Sequence, residues 1–151
     1  MEGLIQIREM ASSDVQAVLA IQAASLDAAT WDRRAYEQML AGATSNRCIV
    51  ALFEDGVAGF ASFRVIDYEA ELLNLAVRPE RRRRGLGTEL LRAVTHEVTR
   101  MGATRLFLEV RESNTAAINL YRRFGFEQQY RRAGYYRNPP EDALAMARQL
   151  A

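Results

Sequence analysis

Leu72-Leu73-Asn74-Leu75-Ala76-Val77-Arg78-Pro79-Glu80-Arg81-Arg82-Arg83-Arg84-Gly85-Leu86-Gly87-Thr88 decides how the rest of this chain is read. It starts as an apolar strand, turns at Pro79, passes a run of arginines and two glycines, and enters a helix. Leu90, Leu91, Val94, Val98 and Met101 recur at helical spacing, which predicts an amphipathic helix from Gly85 to about Met101. Gly85 and Gly87 let backbone approach a ligand where a side chain would block it. Unpaired N–H groups at a helix start face outward and suit an anion. A strand feeding such a turn is built to hold a phosphate, and a pyrophosphate best of all.

The commoner nucleotide motifs are missing. There is no Gly-x-x-x-x-Gly-Lys-Ser/Thr and no Gly-x-Gly-x-x-Gly, so neither a P-loop nor a dinucleotide-binding turn is expected. What stands here is Arg82-x-x-Gly85-x-Gly87 between a strand and a helix. By itself it could be a helix start with two permissive glycines and a solvated basic run. With its flanking strand and helix, it resembles the acetyl-CoA signature of the GNAT superfamily of N-acetyltransferases.

The flanking sequence supplies the other elements. Leu4 to Arg8 alternates as a strand. Ser12-Ser13-Asp14 reads as the cap of a helix with Val15, Val18 and Leu19 on its inner face and Leu26 as a further candidate. Asp32 caps a second helix through Tyr36, Met39 and Leu40 that ends near Gly42. Strands at 47–54 and 57–68 meet at the hairpin signal Asp55-Gly56, and 71–77 leads into the glycine turn. Gly102 ends the long helix, 105–110 is a strand, and a short helix runs from Asn114 to Arg123 before Gly125. Strands 126–136 and 142–150 flank Asn138-Pro139-Pro140. The order βααβββαβαββ matches the superfamily over essentially the whole length. It implies an α+β fold, layered α/β/α, in one domain over residues 1–151. Its mixed sheet has about seven strands with splayed middle strands, and four helices.

At 151 residues, one core is expected. A net charge of +1 argues against a dedicated nucleic-acid binder. No apolar run approaches the roughly 20 residues that cross a bilayer, and the N-terminus lacks a signal pattern, so a cytoplasmic protein is expected. All 20 basic residues are arginine, clustered at 81–84, 122–123 and 131–132. Solvated faces are the default for such clusters. Only the first adjoins the glycine turn. Cys48 stands alone in a strand-like run, as a buried structural thiol rather than a nucleophile. His96 is expected on a helix surface, and no cluster has metal-ligand spacing.

In Leu106-Phe107-Leu108-Glu109-Val110, Glu109 shares a strand face with Phe107 alone. A carboxylate there is either paired with a nearby arginine or serves as a general base whose pKa an apolar setting raises. Tyr121 falls on one helical face with Ala117, Leu120 and Phe124, so it is either core or a phenol presented at the edge. Leu108-Glu109-Val110-Arg111-x-Ser113-Asn114-x-Ala116-Ala117-Ile118-x-Leu120-Tyr121-x-x-x-Gly125-Phe126 is more specific than the glycine signature. It resembles the ribosomal-protein alanine N-acetyltransferases, the RimI group, and the related subunits that acetylate protein N-termini.

That resemblance implies roles. Glu109 matches the proton acceptor and Tyr121 the proton donor to the leaving thiolate. Asn114 matches a contact to acetyl-CoA. Leu75, Ala76 and Val77 match the strand that pairs with the pantetheine arm and polarises the thioester. Arg82, Arg83, Arg84, Gly85, Leu86, Gly87 and Thr88 match the pyrophosphate cradle. Trp31 and Tyr36 lie where this family shapes substrate entry, although Trp31 could equally be core. Tyr135 and Tyr136 match tyrosines that line the peptide groove, and strand alternation allows at most one of them to do so.

The implied activity is acetyl transfer from acetyl-CoA, without a metal, to a peptide or protein N-terminal amine. One candidate acceptor is the N-terminal alanine of a small-subunit ribosomal protein. The expected protein is a monomer or weak dimer that binds neither nucleic acid nor membrane. Acetylation of a small amine or a lysine, and a non-catalytic acetyl-CoA sensor, are the alternatives. The chain departs from the family at Thr30-Trp31, where relatives have Pro-Trp, and at the short Pro-rich turn after Tyr136. It also carries an extra residue, Ala133 or Gly134, before the tyrosine pair. All three departures fall in elements of acceptor specificity.

Overall fold

The computed structural model describes residues 4–25, 28–54, 56–82, 84–137 and 139–150. The expected contributions of Leu26, Asp55, Arg83 and Asn138 lie outside the described residues. The chain runs β1 (Ile5–Glu9), α1 (Val15–Ala23), α2 (Arg33–Leu40), β2 (Asn46–Phe53), β3 (Gly56–Ile66), β4 (Glu69–Val77), α3 (Leu86–Arg100), β5 (Arg105–Arg111), α4 (Thr115–Arg123), β6 (Glu127–Arg137) and β7 (Pro140–Gln149). This is the expected order, and the seven strands form one mixed sheet, β1-β2-β3-β4-β5-β7-β6.

Helix ends follow local chemistry. Asp32 caps α2, its carboxylate accepting the Ala35 N–H at 2.9 Å. Asn114 caps α4 by accepting the Ala117 N–H at 3.1 Å. Asp14 does not cap α1 with its side chain. It closes a short 3-10 turn, accepting the Ala11 N–H at 2.7 Å and pairing with Arg8 at 2.6 Å. The guanidinium beside it holds that carboxyl below its ordinary range.

Two apolar clusters flank the sheet. On one side α3 and α4 pack Leu86, Leu90, Leu91, Val94, Val98, Ile118 and Tyr121 against it. On the other, α1 and α2 pack Val15, Val18, Ile21 and Tyr36 against Cys48, Val50, Phe60 and Ala76. Burial pushes the Cys48 thiol up to about 12, so it is inert, and His96 is exposed, both as expected. Gly59 lets α3 come close: a Cβ there would lie 3.0 Å from the Ala76 carbonyl oxygen and 3.1 Å from Leu90 Cδ1. Gly59→Ala therefore overpacks a fully buried seam. It should cost about 1–3 kcal/mol, read from the denaturant midpoint at unchanged m-value.

β4 carries the feature that positions the site. Its register with β3 slips between Ser62 and Phe63, leaving Leu73 as an extra residue. A bulge reverses which face later residues take. Ala70 and Leu72 thus join the α3 side, whereas Ala76 joins the α1–α2 side and Leu75 and Val77 pack toward α3. β4 and β5 are parallel but pair only at Glu69↔Arg105, Ala70↔Leu106 and Glu71↔Phe107. Beyond those pairs the strands part, as the splayed-strand expectation required.

Candidate active site

The parted strands enclose a cavity of about 90 Å³ lined by Leu72–Leu75, Leu108–Arg111, Asn114, Ala117 and Tyr121. Leu75, Asn114 and Ala117 also line a larger groove of about 750 Å³. This groove runs along Leu75–Val77 to Gly85–Thr88 at the start of α3, with α4 on one side and Ala24, Ser25 and Ala28 on the other. A small reaction chamber therefore opens into a long trough.

Gly85 stands at the helix start with φ +81°, the left-handed region that glycine enters freely. The Glu89 N–H donates to the Gly85 carbonyl at 3.0 Å. The amides of Leu86, Gly87 and Thr88, in the first turn, have no intrahelical acceptor and border the trough. The Leu86 side chain is core, 1% exposed, so its share in any cradle is its backbone alone. Arg82 borders the trough, while Arg84 is exposed and outside its lining.

Two trough arginines were not singled out from the sequence. Arg81 lines it while pairing with Glu54 at 3.2 Å and stacking on Phe53 at 5.2 Å. Arg123, at the end of α4, lines it from the far wall. Its spacing from Tyr121 on a helix leading to Gly125 was the available signal. A trough with exposed helix-start amides and arginines on two sides fits a polyanionic tail.

Glu109 is reached from across the sheet. Arg132 Nη1 on β6 contacts both its carboxylate oxygens, at 2.9 and 2.8 Å, and the Glu109 side chain is 13% exposed. The apolar setting expected for Glu109 is thus replaced by an ion pair, the other of the two readings. The guanidinium is half exposed, so water and other cations reach it. Tyr121 is 6% exposed, its ring 5.7 Å from that of Phe126. Burial pushes its phenol well above the ordinary range, so it holds its proton firmly. Both readings of Tyr121 hold together, because a core ring borders the reaction cavity.

The tyrosine pair differs from expectation. β6 slips against β7 between Arg132 and Tyr136, with Gly134 at φ +62°. The slip breaks alternation and brings the neighbouring Tyr135 and Tyr136 rings to 5.0 Å, edge to face. Arg132 stacks on Tyr135 at 4.8 Å and Arg111 on Tyr136 at 4.2 Å. The 131–132 cluster is therefore engaged with Glu109, Glu112 and Asp142 rather than simply solvated. Tyr36 is 0% exposed and belongs to the core, where it cannot touch an acceptor. Trp31 packs partly against that core, its ring 5.9 Å from that of Tyr36.

Among the described residues no group of His, Cys, Asp and Glu could hold a metal ion, and no helix is long and apolar enough to cross a membrane. The Acetyltransferase (GNAT) family model matches residues 10–126. The chain belongs to the GNAT acetyltransferase family. It is 45% identical over 96 residues to the ribosomal protein bS18-alanine N-acetyltransferase of Salmonella typhimurium, covering 62% of this chain and 65% of that protein. The matched stretch is thus slightly less than two thirds of that relative's length.

The fold is that of solved family members over nearly the whole chain. The ribosomal-protein-S18-alanine N-acetyltransferase from Escherichia coli superposes with a TM-score of 0.84 at 32% identity, over 98% of this chain and 95% of that one. Ard1 from Thermoplasma volcanium does so with a TM-score of 0.86 at 26% identity, over 97% and 98%.

Proposed function

We propose that this protein transfers the acetyl group of acetyl-CoA to the N-terminal α-amine of a peptide or protein, in the cytoplasm. The leading acceptor is the N-terminal alanine of a small-subunit ribosomal protein. One observation carries the reading: Glu109, Tyr121 and the parted edge of β4 line a single chamber that opens into the phosphate-suited trough. The RimI-like relatives support the choice of acceptor.

The trough residues suit the coenzyme. Arg82, Arg123 and the amides of Gly85–Thr88, with Arg83 beside them, would hold its phosphates. The unpaired backbone of Leu75–Val77 would take the pantetheine arm, with Asn114 where chamber and trough meet. In the reaction the amine nitrogen bonds to the acetyl carbonyl carbon and gives up its proton to the Glu109 carboxylate. The carbon–sulfur bond breaks, and the sulfur receives the Tyr121 proton. An α-amine has a pKa near 8 against about 10.4 for lysine, so an N-terminus asks less of Glu109. No acyl-enzyme is required.

Arg132 occupies the carboxylate that must accept this proton. An exposed pair of this kind changes an equilibrium by at most about fivefold. Arg132→Ala should raise kcat/KM for the acceptor by up to about fivefold at low salt. The gain should vanish in 1 M salt, where the Debye length is about 3 Å. Steady-state kinetics at two ionic strengths check it.

The decisive assay sets a library of free-N-terminus peptides against N-blocked lysine peptides and small amines, scored by CoA release. Turnover confined to free N-termini is expected. Turnover on lysine or small amines alone would reassign the acceptor, and acetyl-CoA binding without CoA release on any amine would leave a sensor.

A further inference from the structure

The second apolar cluster encloses a polar network that the reaction does not use. Gln22, in the last turn of α1, is 8% exposed, and Tyr36 on α2 is fully buried. The Tyr36 hydroxyl donates to Gln22 Oε1 at 2.5 Å, and Gln22 Nε2 donates to the Trp31 carbonyl at 2.7 Å. On β4, Asn74, 6% exposed, accepts the Ala29 N–H on Oδ1 at 3.4 Å. Two carboxamides thus tie down residues 28–31, which have no helix or strand of their own. Buried amides cost stability unless their bonds are made, so this arrangement fixes one geometry.

The segment they fix is not remote. Ser25 and Ala28 wall the trough opposite α4, and Asn74 directly precedes Leu75 on the strand bordering the chamber. We propose that Gln22 is a positioning residue for acceptor binding. Its carboxamide, oriented by the Tyr36 hydroxyl, sets the height of the 28–31 wall over β4 and so the width of the amine's entry. The proposal deepens the functional reading above and rests on it for the identity of the acceptor.

The pinning can be measured without activity. In Gln22→Leu, similar in size and without polar atoms, hydrogen exchange at the Ala28 and Ala29 amides should accelerate by about three- to tenfold, the worth of one lost hydrogen bond. Exchange in β2 should stay unchanged. Kinetically, KM for the acceptor peptide should rise by a similar factor, with kcat and the KM for acetyl-CoA within twofold of wild type.

Tyr36→Phe removes only the hydroxyl and should show a smaller rise of the same kind. Added to Gln22→Leu, it should do nothing more. If Gln22→Leu does not fold, Tyr36→Phe carries the test alone, and an unchanged acceptor KM in it overturns the proposal. Unaltered amide exchange overturns the pinning whatever the acceptor is. A joint rise of both KM values with falling kcat assigns Gln22 to stability only. Absence of turnover in the wild type with exchange accelerated in the variant overturns the functional reading, not the pinning.

Discussion

Glu109→Gln should lower turnover by about 10²–10⁴-fold while acetyl-CoA binds as before. The substitution keeps the side chain's size and an oxygen for Arg132 to contact, and it removes only the capacity to take a proton. Glu109 lines the chamber and not the trough, so the coenzyme's tail should not register its loss. The deficit should shrink as pH rises past about 8, where the α-amine reaches the site already neutral. Initial rates of CoA release across pH, with acetyl-CoA titrations by calorimetry, test both halves. Unchanged turnover would remove Glu109 from the mechanism.

Tyr121→Phe should cost about 10²-fold in turnover, the lower end for a lost proton donor, because water can protonate a thiolate. Its ring remains packed beside Phe126 in the larger cluster, so stability should change by less than about 1 kcal/mol. Burial raises the phenol's pKa, so the group stays protonated and able to donate throughout the range in which the amine loses its proton. The wild-type rate should therefore have no basic limb from Tyr121 up to pH 10. Matched kcat and denaturation curves for the variant separate lost chemistry from lost packing. A large stability loss with an equal fall in kcat would make Tyr121 a core residue and nothing more.

The strand–turn–helix at 72–101 was legible because each signal in it is local. Apolar alternation, Pro79, the glycines and a helical stripe lie within one stretch, and Gly85 indeed precedes α3 in a left-handed conformation. Glu109 stood out by alternation alone, since Leu106, Leu108 and Val110 are buried and it is not. What escaped depends on register or on distant contacts. The extra residue at Leu73 has no composition signal, yet it reverses the faces of the rest of β4. Arg132 meets Glu109 across 23 positions of sequence, with β7 lying between their strands. The slip in β6 overrode the alternation expected of Tyr135 and Tyr136. Tyr36 reads as an amphipathic-helix residue from either side, and only packing shows that its hydroxyl is spent on Gln22. Gly59 has an ordinary strand conformation, and its need for no side chain comes from α3 passing overhead.

The separation of β4 from β5 divides the molecule by how its two partners can be recognised. Along the gap, peptide groups are offered, and any amino acid at Leu75 or Val77 supplies the same ones. That half tolerates mutational drift and preserves a donor shared by many enzymes. The opposite rim is made of Arg132, Tyr135, Tyr136 and the segment held by Gln22, where a single replacement alters the shape presented. One scaffold can thus inherit its donor almost unchanged and acquire new acceptors by a handful of exchanges at that rim.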